Sequence, residues 1–188
     1  FGMAAAVAGA VLMQAGSVQA AASSLTLFHN NDGESKLLGS AGFGGFDYFL
    51  HELTTARNDA IGAGRDVLTI SSGDNLLAGL AWRASEARVG VLEAGSVDPI
   101  TQNYYDALAL TAAGYDAITI GNHEFDFGPD VLADFITGYR NAGGTAPFIS
   151  ANLDFSAEPA LDALASSGAI ASSTVVNGAA SGEQYGII

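Results

Sequence analysis

Four short apolar runs, residues 25–29, 67–71, 116–120 and 148–151, each stop at a polar turn, and helix-patterned stretches separate them. No other feature constrains the chain so tightly. Short runs rich in Leu, Ile, Val and Thr, closed by Gly, Asn and Asp, read as buried strands. Strands that alternate with helices imply βαβ units and a mostly parallel sheet, so the expected class is α/β. Phe46, Phe49, Leu50 and Leu53 follow helical spacing and predict a helix over 46–63. A second helix is expected over 104–113. A third opens at Gly128, with Pro129 in the first turn where its missing N–H costs little, and runs to Arg140. The stretch 80–100 is too weakly patterned to assign. Residues 174–176 and 185–188 read as two strands joined across 178–183.

Composition closes off several alternatives. With 49% hydrophobic and 14% charged residues, the chain is too apolar for a disordered tail, and its 188 residues suit one domain or part of one. Twenty acidic side chains against six basic ones give a net charge of -14. Nucleic acid polymers and anionic membranes are bound by Lys and Arg, so neither is expected as a partner. The chain has no cysteine, which excludes disulfide frameworks and thiol nucleophiles.

Residues 1–22 carry no charge and are dominated by Ala, Gly, Val, Leu and Met. A transmembrane helix and the apolar core of a secretory signal are the competing readings. The small residues around Val18-Gln19-Ala20 and the Ala-Gly richness favour the signal, so no stable membrane span is expected and the destination is secreted or periplasmic. The chain begins with Phe1, and the signal is expected to be incomplete at its start. The apolar ending Ile187-Ile188 reads as a strand cut short.

Polar residues cluster where parallel sheets collect ligands, beyond the carboxyl ends of the strands. Asp32 and Glu34 follow the first strand, Asp74 the second, Asn122 and His123 the third, and Asn152 the fourth. Asp32 in Asn-Asp-Gly and Asp74 in Ser-Gly-Asp-Asn are each compatible with ordinary turns. The hexapeptide Gly121-Asn122-His123-Glu124-Phe125-Asp126 is less ordinary, since so many polar groups at the end of a buried strand need partners. Carboxylate and amide oxygens suit Mg, Mn or Ca, and imidazole would shift a site toward Zn or Fe.

Residues 25–32, Ser72-Gly73-Asp74 and the hexapeptide from Gly121 to Asp126, in this order, resemble the first three signature blocks of the calcineurin-like metallophosphoesterases. Within that superfamily they are most similar to the secreted 5'-nucleotidase/2',3'-cyclic phosphodiesterase group. The resemblance implies an α-β-β-α layered sandwich, with residues 23–188 as its N-terminal part, truncated at the C-terminus. It implies two divalent metal ions (Mn, Mg, Ca or Zn) and a small phosphate-ester substrate, a nucleotide foremost. Asp32 would bind the first metal, Asp74 would bridge both, and Asn122 would bind the second. His123 would stabilise the transition state or protonate the leaving oxygen, oriented by Asp126, while Glu124 would support the loop.

The chain departs from that pattern twice. Glu34 stands where the family usually has histidine, and it either ligates as a harder donor or caps the loop. No histidine follows His123, whereas the family's remaining metal-binding histidines lie in later strands, so this chain alone is expected to bind metals poorly and to have little activity. Two alternatives stay open: a catalytically dead metal- or ligand-binding module on the same fold, and a phosphodiesterase for another small ester. Other motifs read as structural. His51 lacks the second histidine of a zinc-protease helix, His29 reads as a hydrogen-bonder, residues 39–45 lack the ending of a phosphate-binding loop, and Trp82 reads as a packing residue.

Overall fold

A computed structural model of the chain describes residues 23–40, 42, 44–77, 79–86 and 104–188. The expected signal segment, residues 1–22, and most of the unassigned stretch 80–100 lie outside them. Strand β1 (Leu25–Asn30) leads into helix α1 (Phe46–Gly62), followed by β2 (Asp66–Ser71) and α2 (Leu80–Glu86). Helix α3 (Tyr105–Ala113), β3 (Ala117–Thr119), a 3-10 turn at His123–Phe125, α4 (Pro129–Asn141) and β4 (Phe148–Ile149) come next. The chain then runs through α5 (Pro159–Ser166), β5 (Ile170–Ala171), β6 (Thr174–Asn177) and β7 (Gln184–Ile187).

Strands β1 to β5 form one sheet in sequence order with every pairing parallel. The mostly parallel α/β reading is therefore borne out. Each of β1 to β4 is followed by a crossover to the next parallel strand, so the five carboxyl ends lie on one side of the sheet. Strands β6 and β7, expected as two joined strands, pair antiparallel, with Val176 opposite Tyr185. Sequence patterning missed α5 and β5, and it made the third and fourth strands two residues too long at their ends. Strand β5 has only two residues and α5 only eight, too few to display a period.

Local signals account for the element ends. Helix α1 stops at Ala63 and Gly64, where Gly64 takes φ +71° and the amides of Gly64 and Arg65 donate to the carbonyls of Ile61 and Ala60 at 2.9 and 3.1 Å. This is the left-handed helix stop that glycine favours. Arg57 ties α1 to α3 by donating to the carbonyls of Ala113 and Gly114 at 2.5 and 2.6 Å and to Thr69 Oγ1 at 2.8 Å. A guanidinium there satisfies carbonyls left open at a helix C-terminus and complements its dipole.

The core forms where α3 and α4 pack on β3 and β4. Trp82, fully buried, stacks on Tyr104 and Phe127 with ring centroids 4.6 and 4.7 Å apart. Phe135 meets Trp82, Tyr104 and Phe148. Rings in such contact add about 0.5–1.5 kcal/mol per pair beyond the area they bury, and the aromatic block holds the loop after β3 against the helices through Phe127. At the opposite end of β2 from the strand-end loops, Asp66 anchors the β6–β7 hairpin. Its carboxylate accepts from Ala180 N at 2.8 Å, Ser181 N at 3.0 Å, Tyr185 Oη at 2.8 Å and the Ser181 hydroxyl. Among the described residues, no helix is long and apolar enough to cross a membrane.

Candidate active site

Strands β1, β2 and β3 are neighbours, and their registers bring Asn30 opposite Ser71 and Ser71 opposite Ile118. The loops that follow them must therefore meet. The first two are laced by backbone: Asp32 N–H donates to Gly73 O at 3.2 Å, Glu34 N–H to Asp74 O at 3.0 Å and Ser35 N–H to Asn75 O at 2.9 Å. The lacing uses left-handed backbone at Asp32, Glu34, Ser35 and Asp74, with φ between +48° and +53°. Non-glycine residues held there carry strain on the order of 1 kcal/mol each, and such strain gathers at functional loops.

The third loop is pressed against the second. A Cβ built on Gly121 would overlap Asp74 Oδ1 and lie 2.8 Å from Asp74 N; one built on Gly73 would lie 2.7 Å from Gly121 N. Only residues without a Cβ allow this approach. Glu124, 2% exposed, closes the contact. Its Oε2 accepts from Asp74 N at 3.0 Å and Gly121 N at 2.7 Å, and its Oε1 accepts from Asn75 N at 2.7 Å. Burial outweighs those three donors and pushes the Glu124 carboxyl above the usual range.

Asp74 Oδ1 accepts from the backbone N–H of His123 at 2.9 Å, and His123 Nδ1 bonds Asp126 Oδ2 at 2.8 Å. The hydrogen bond to Asp126 raises the imidazole pKa above its ordinary value, and the charges of Asp126, Asp74 and Glu34 add to it, against partial desolvation. Asp32 is exposed, with Asn31 Nδ2 donating to its Oδ2. Glu34 is half-buried and paired with Lys36 Nζ at 2.5 Å. Asn122 is exposed and starts the 3-10 turn, its carbonyl accepting from Phe125 N at 3.1 Å.

The structure thus gathers Asp32, Glu34, Asp74, Asn122, His123 and Asp126 on three interlocked loops. Sequence reasoning passed over Asn75, Ser35 and Asp106, all buried beneath them. Their signal was a polar residue set within otherwise apolar segments, such as Asp106 on the buried face of α3. Burial pushes the Asp106 carboxyl up to about 7, against a hydrogen bond from Ser35.

The donors are hard oxygens and suit a hard divalent cation in type. Their number falls short. Among the described residues, no three His, Asp or Glu side chains stand close enough together to hold a metal ion. Glu34 is committed to Lys36, and Asp74 Oδ1 to the amide of His123. The described residues form a partial cradle and not a closed cation site.

No protein-family model matches the sequence. Over 66 residues, 30% of this chain and 4% of the relative, it is 44% identical to the trifunctional nucleotide phosphoesterase protein YfkN of Bacillus subtilis (strain 168). Over 141 residues, 69% of this chain and 20% of the relative, it is 28% identical to a probable 5'-nucleotidase of Treponema pallidum (strain Nichols). Among solved structures, the 5'-nucleotidase precursor of Thermus thermophilus superposes with a TM-score of 0.59 at 29% identity, covering 86% of this chain and 27% of that one. These neighbours point to the calcineurin-like phosphoesterase and 5'-nucleotidase family. The chain spans a fifth or less of the curated relatives' length. The five-stranded parallel sheet agrees with the fold of these phosphoesterases.

Proposed function

We propose that this chain is the N-terminal part of an exported, metal-dependent phosphoester hydrolase acting on nucleotides or similar small phosphate esters. The observation that carries the reading is the junction of three strand-end loops, where Asp74 receives the backbone of His123 and lies beside the loop of Asp32. The names of the relatives, nucleotide phosphoesterase and 5'-nucleotidase, support the substrate class.

Asp32, Asp74 and Asn122 would contribute oxygens to a pair of divalent cations, completed by ligands beyond those described. Such cations, when bound, supply an activated water and neutralise a phosphoryl group. The chain's own residues do the rest. Asp126 holds His123 through Nδ1 and raises its proton affinity, which leaves Nε2 to donate a proton to the departing oxygen or to stabilise charge on the phosphoryl group. Glu124 fixes the separation of the second and third loops, on which Asp74 and His123 depend.

The test uses the longer protein that contains this chain. Phosphatase activity on nucleoside monophosphates should vanish with chelator and return with Mn, and Asp74→Asn and His123→Ala should each lower kcat at least ~100-fold. Activity indifferent to chelator refutes the reading. A second reading, a non-catalytic ligand-binding module, is favoured by the Glu34–Lys36 pair and the incomplete donor set. It predicts a protein that binds divalent metal or nucleotide and turns over no phosphate ester.

A further inference from the structure

We propose that Asp106 is a positioning residue for the loop after β1: from α3 it holds the Ser35 hydroxyl, and through it the turn that carries Asp32 and Glu34. What that turn does in the chemistry rests on the hydrolase reading above; its anchoring rests on contacts within the chain. Asp32, Glu34 and Ser35 are non-glycine residues in left-handed backbone, with φ +53°, +48° and +52°. Such backbone persists only where its surroundings over-determine it. Those surroundings converge on Ser35. It is 6% exposed, its N–H donates to Asn75 O at 2.9 Å, and its Oγ accepts from Leu77 N–H at 3.1 Å. A hydroxyl has one proton to give as well as lone pairs to offer, and here the proton goes to the Asp106 carboxyl. Ser35 therefore joins its own loop, the stretch after β2 and helix α3.

Asp106 is suited to be the fixed end. It is 3% exposed on a helix whose Ala107, Leu110 and Ala113 lie in the core, and a site held from a packed element is more precise than one held from loops. Among the described residues, no Lys, Arg or His is ion-paired with it, and Lys36, which lines the same cavity, is bonded to Glu34. A buried carboxyl without a cation costs stability, so an ion pair does not account for its presence. As the acceptor for the Ser35 hydroxyl, its ionised form makes a charge-assisted bond, which fixes an orientation more firmly than a neutral acceptor does.

The longer protein that contains this chain carries the test. Hydrogen–deuterium exchange, read on peptides that contain Ser35 and Leu77, should be at least ~10-fold faster in Asp106→Leu and in Ser35→Ala, with a peptide around the buried Phe148 unchanged. The double variant should exchange no faster than either single one, because both remove the same link. Asp106→Asn keeps a neutral acceptor and should fall between wild type and Asp106→Leu. On nucleoside monophosphates, Asp106→Leu should lower kcat at least ~10-fold and change KM by less than ~3-fold, since a buried residue does not touch substrate. Unchanged exchange in Ser35→Ala or Asp106→Leu, additive effects in the double variant, Asp106→Asn no better than Asp106→Leu, or loosened loops with kcat intact would each overturn the proposal. Where Asp106→Leu fails to fold, Ser35→Ala and Asp106→Asn decide it. Wild-type protein that turns over no phosphate ester would refute the hydrolase reading instead, and the exchange pattern would still decide whether Asp106 anchors the turn.

Discussion

Replacing Gly121 with alanine tests whether the second and third loops are as tightly pressed as the geometry requires. The added Cβ would overlap Asp74 Oδ1 and sit 2.8 Å from Asp74 N and 3.0 Å from Asp74 Cγ. Two of these neighbours belong to a side chain that can rotate, but the third is backbone laced to Glu124. Overpacking of this kind costs roughly 1–3 kcal/mol. Moving the Asp74 carboxylate also breaks its bond from His123 N–H, a charge-assisted hydrogen bond of about 1.5–3 kcal/mol. Partial relaxation should leave a loss of about 3 kcal/mol, or roughly 6–12 °C in Tm for a domain of this size. Gly62→Ala is the control. It makes the same chemical change at the exposed end of α1, where a Cβ meets nothing within 4 Å, and it should stabilise by up to ~0.5–1 kcal/mol. Differential scanning calorimetry reads both. If Gly121→Ala melts within ~1 °C of wild type, or if the two substitutions shift Tm in the same direction, the packed-loop argument is wrong.

Glu124→Ala leaves the amides of Asp74, Asn75 and Gly121 without their acceptor; about 1–3 kcal/mol each before water enters predicts faster amide exchange at those three positions in particular, and unchanged protection there would refute the clamp. Because Asp126 raises the His123 pKa, the pair stabilises the fold fully below the unfolded imidazole pKa and loses that contribution as pH rises through the folded value. Asp126→Asn should bring the His123 titration, followed by NMR at Hε1, back toward ~6.5, and an unmoved midpoint would remove Asp126 as the orienting group. Hydrogen bonding by the Ser181 hydroxyl, with help from the Ser181 amide, Tyr185 and Ala180, holds the Asp66 carboxyl down at about 2. Its stabilisation is complete above the unfolded carboxyl pKa and is lost as pH falls toward 2. The Tm gap between wild type and Asp66→Asn should therefore shrink on acidification below pH ~4; a gap independent of pH would contradict the anchor.

The class of the fold and the addresses of the chemistry were legible in the residue pattern. Apolar runs closed by Asn, Asp and Gly are local signals, so β1, β2, α1 and α4 and the polar strand ends at Asp32, Asp74 and His123 could be found from composition and period alone. Tertiary structure decided what those residues do to one another. That Glu124 is the acceptor for three amides on two loops, that Asp66 reaches 115 positions along the chain to Ser181, and that Asn75 and Asp106 both line one cavity are consequences of strand order and register. Hydrogen bonds between residues distant in sequence have no period to betray them, and a short strand such as β5 exists because β4 offers it an edge. Chain pattern fixes which groups sit at the ends of strands; only the assembled sheet fixes which of them meet.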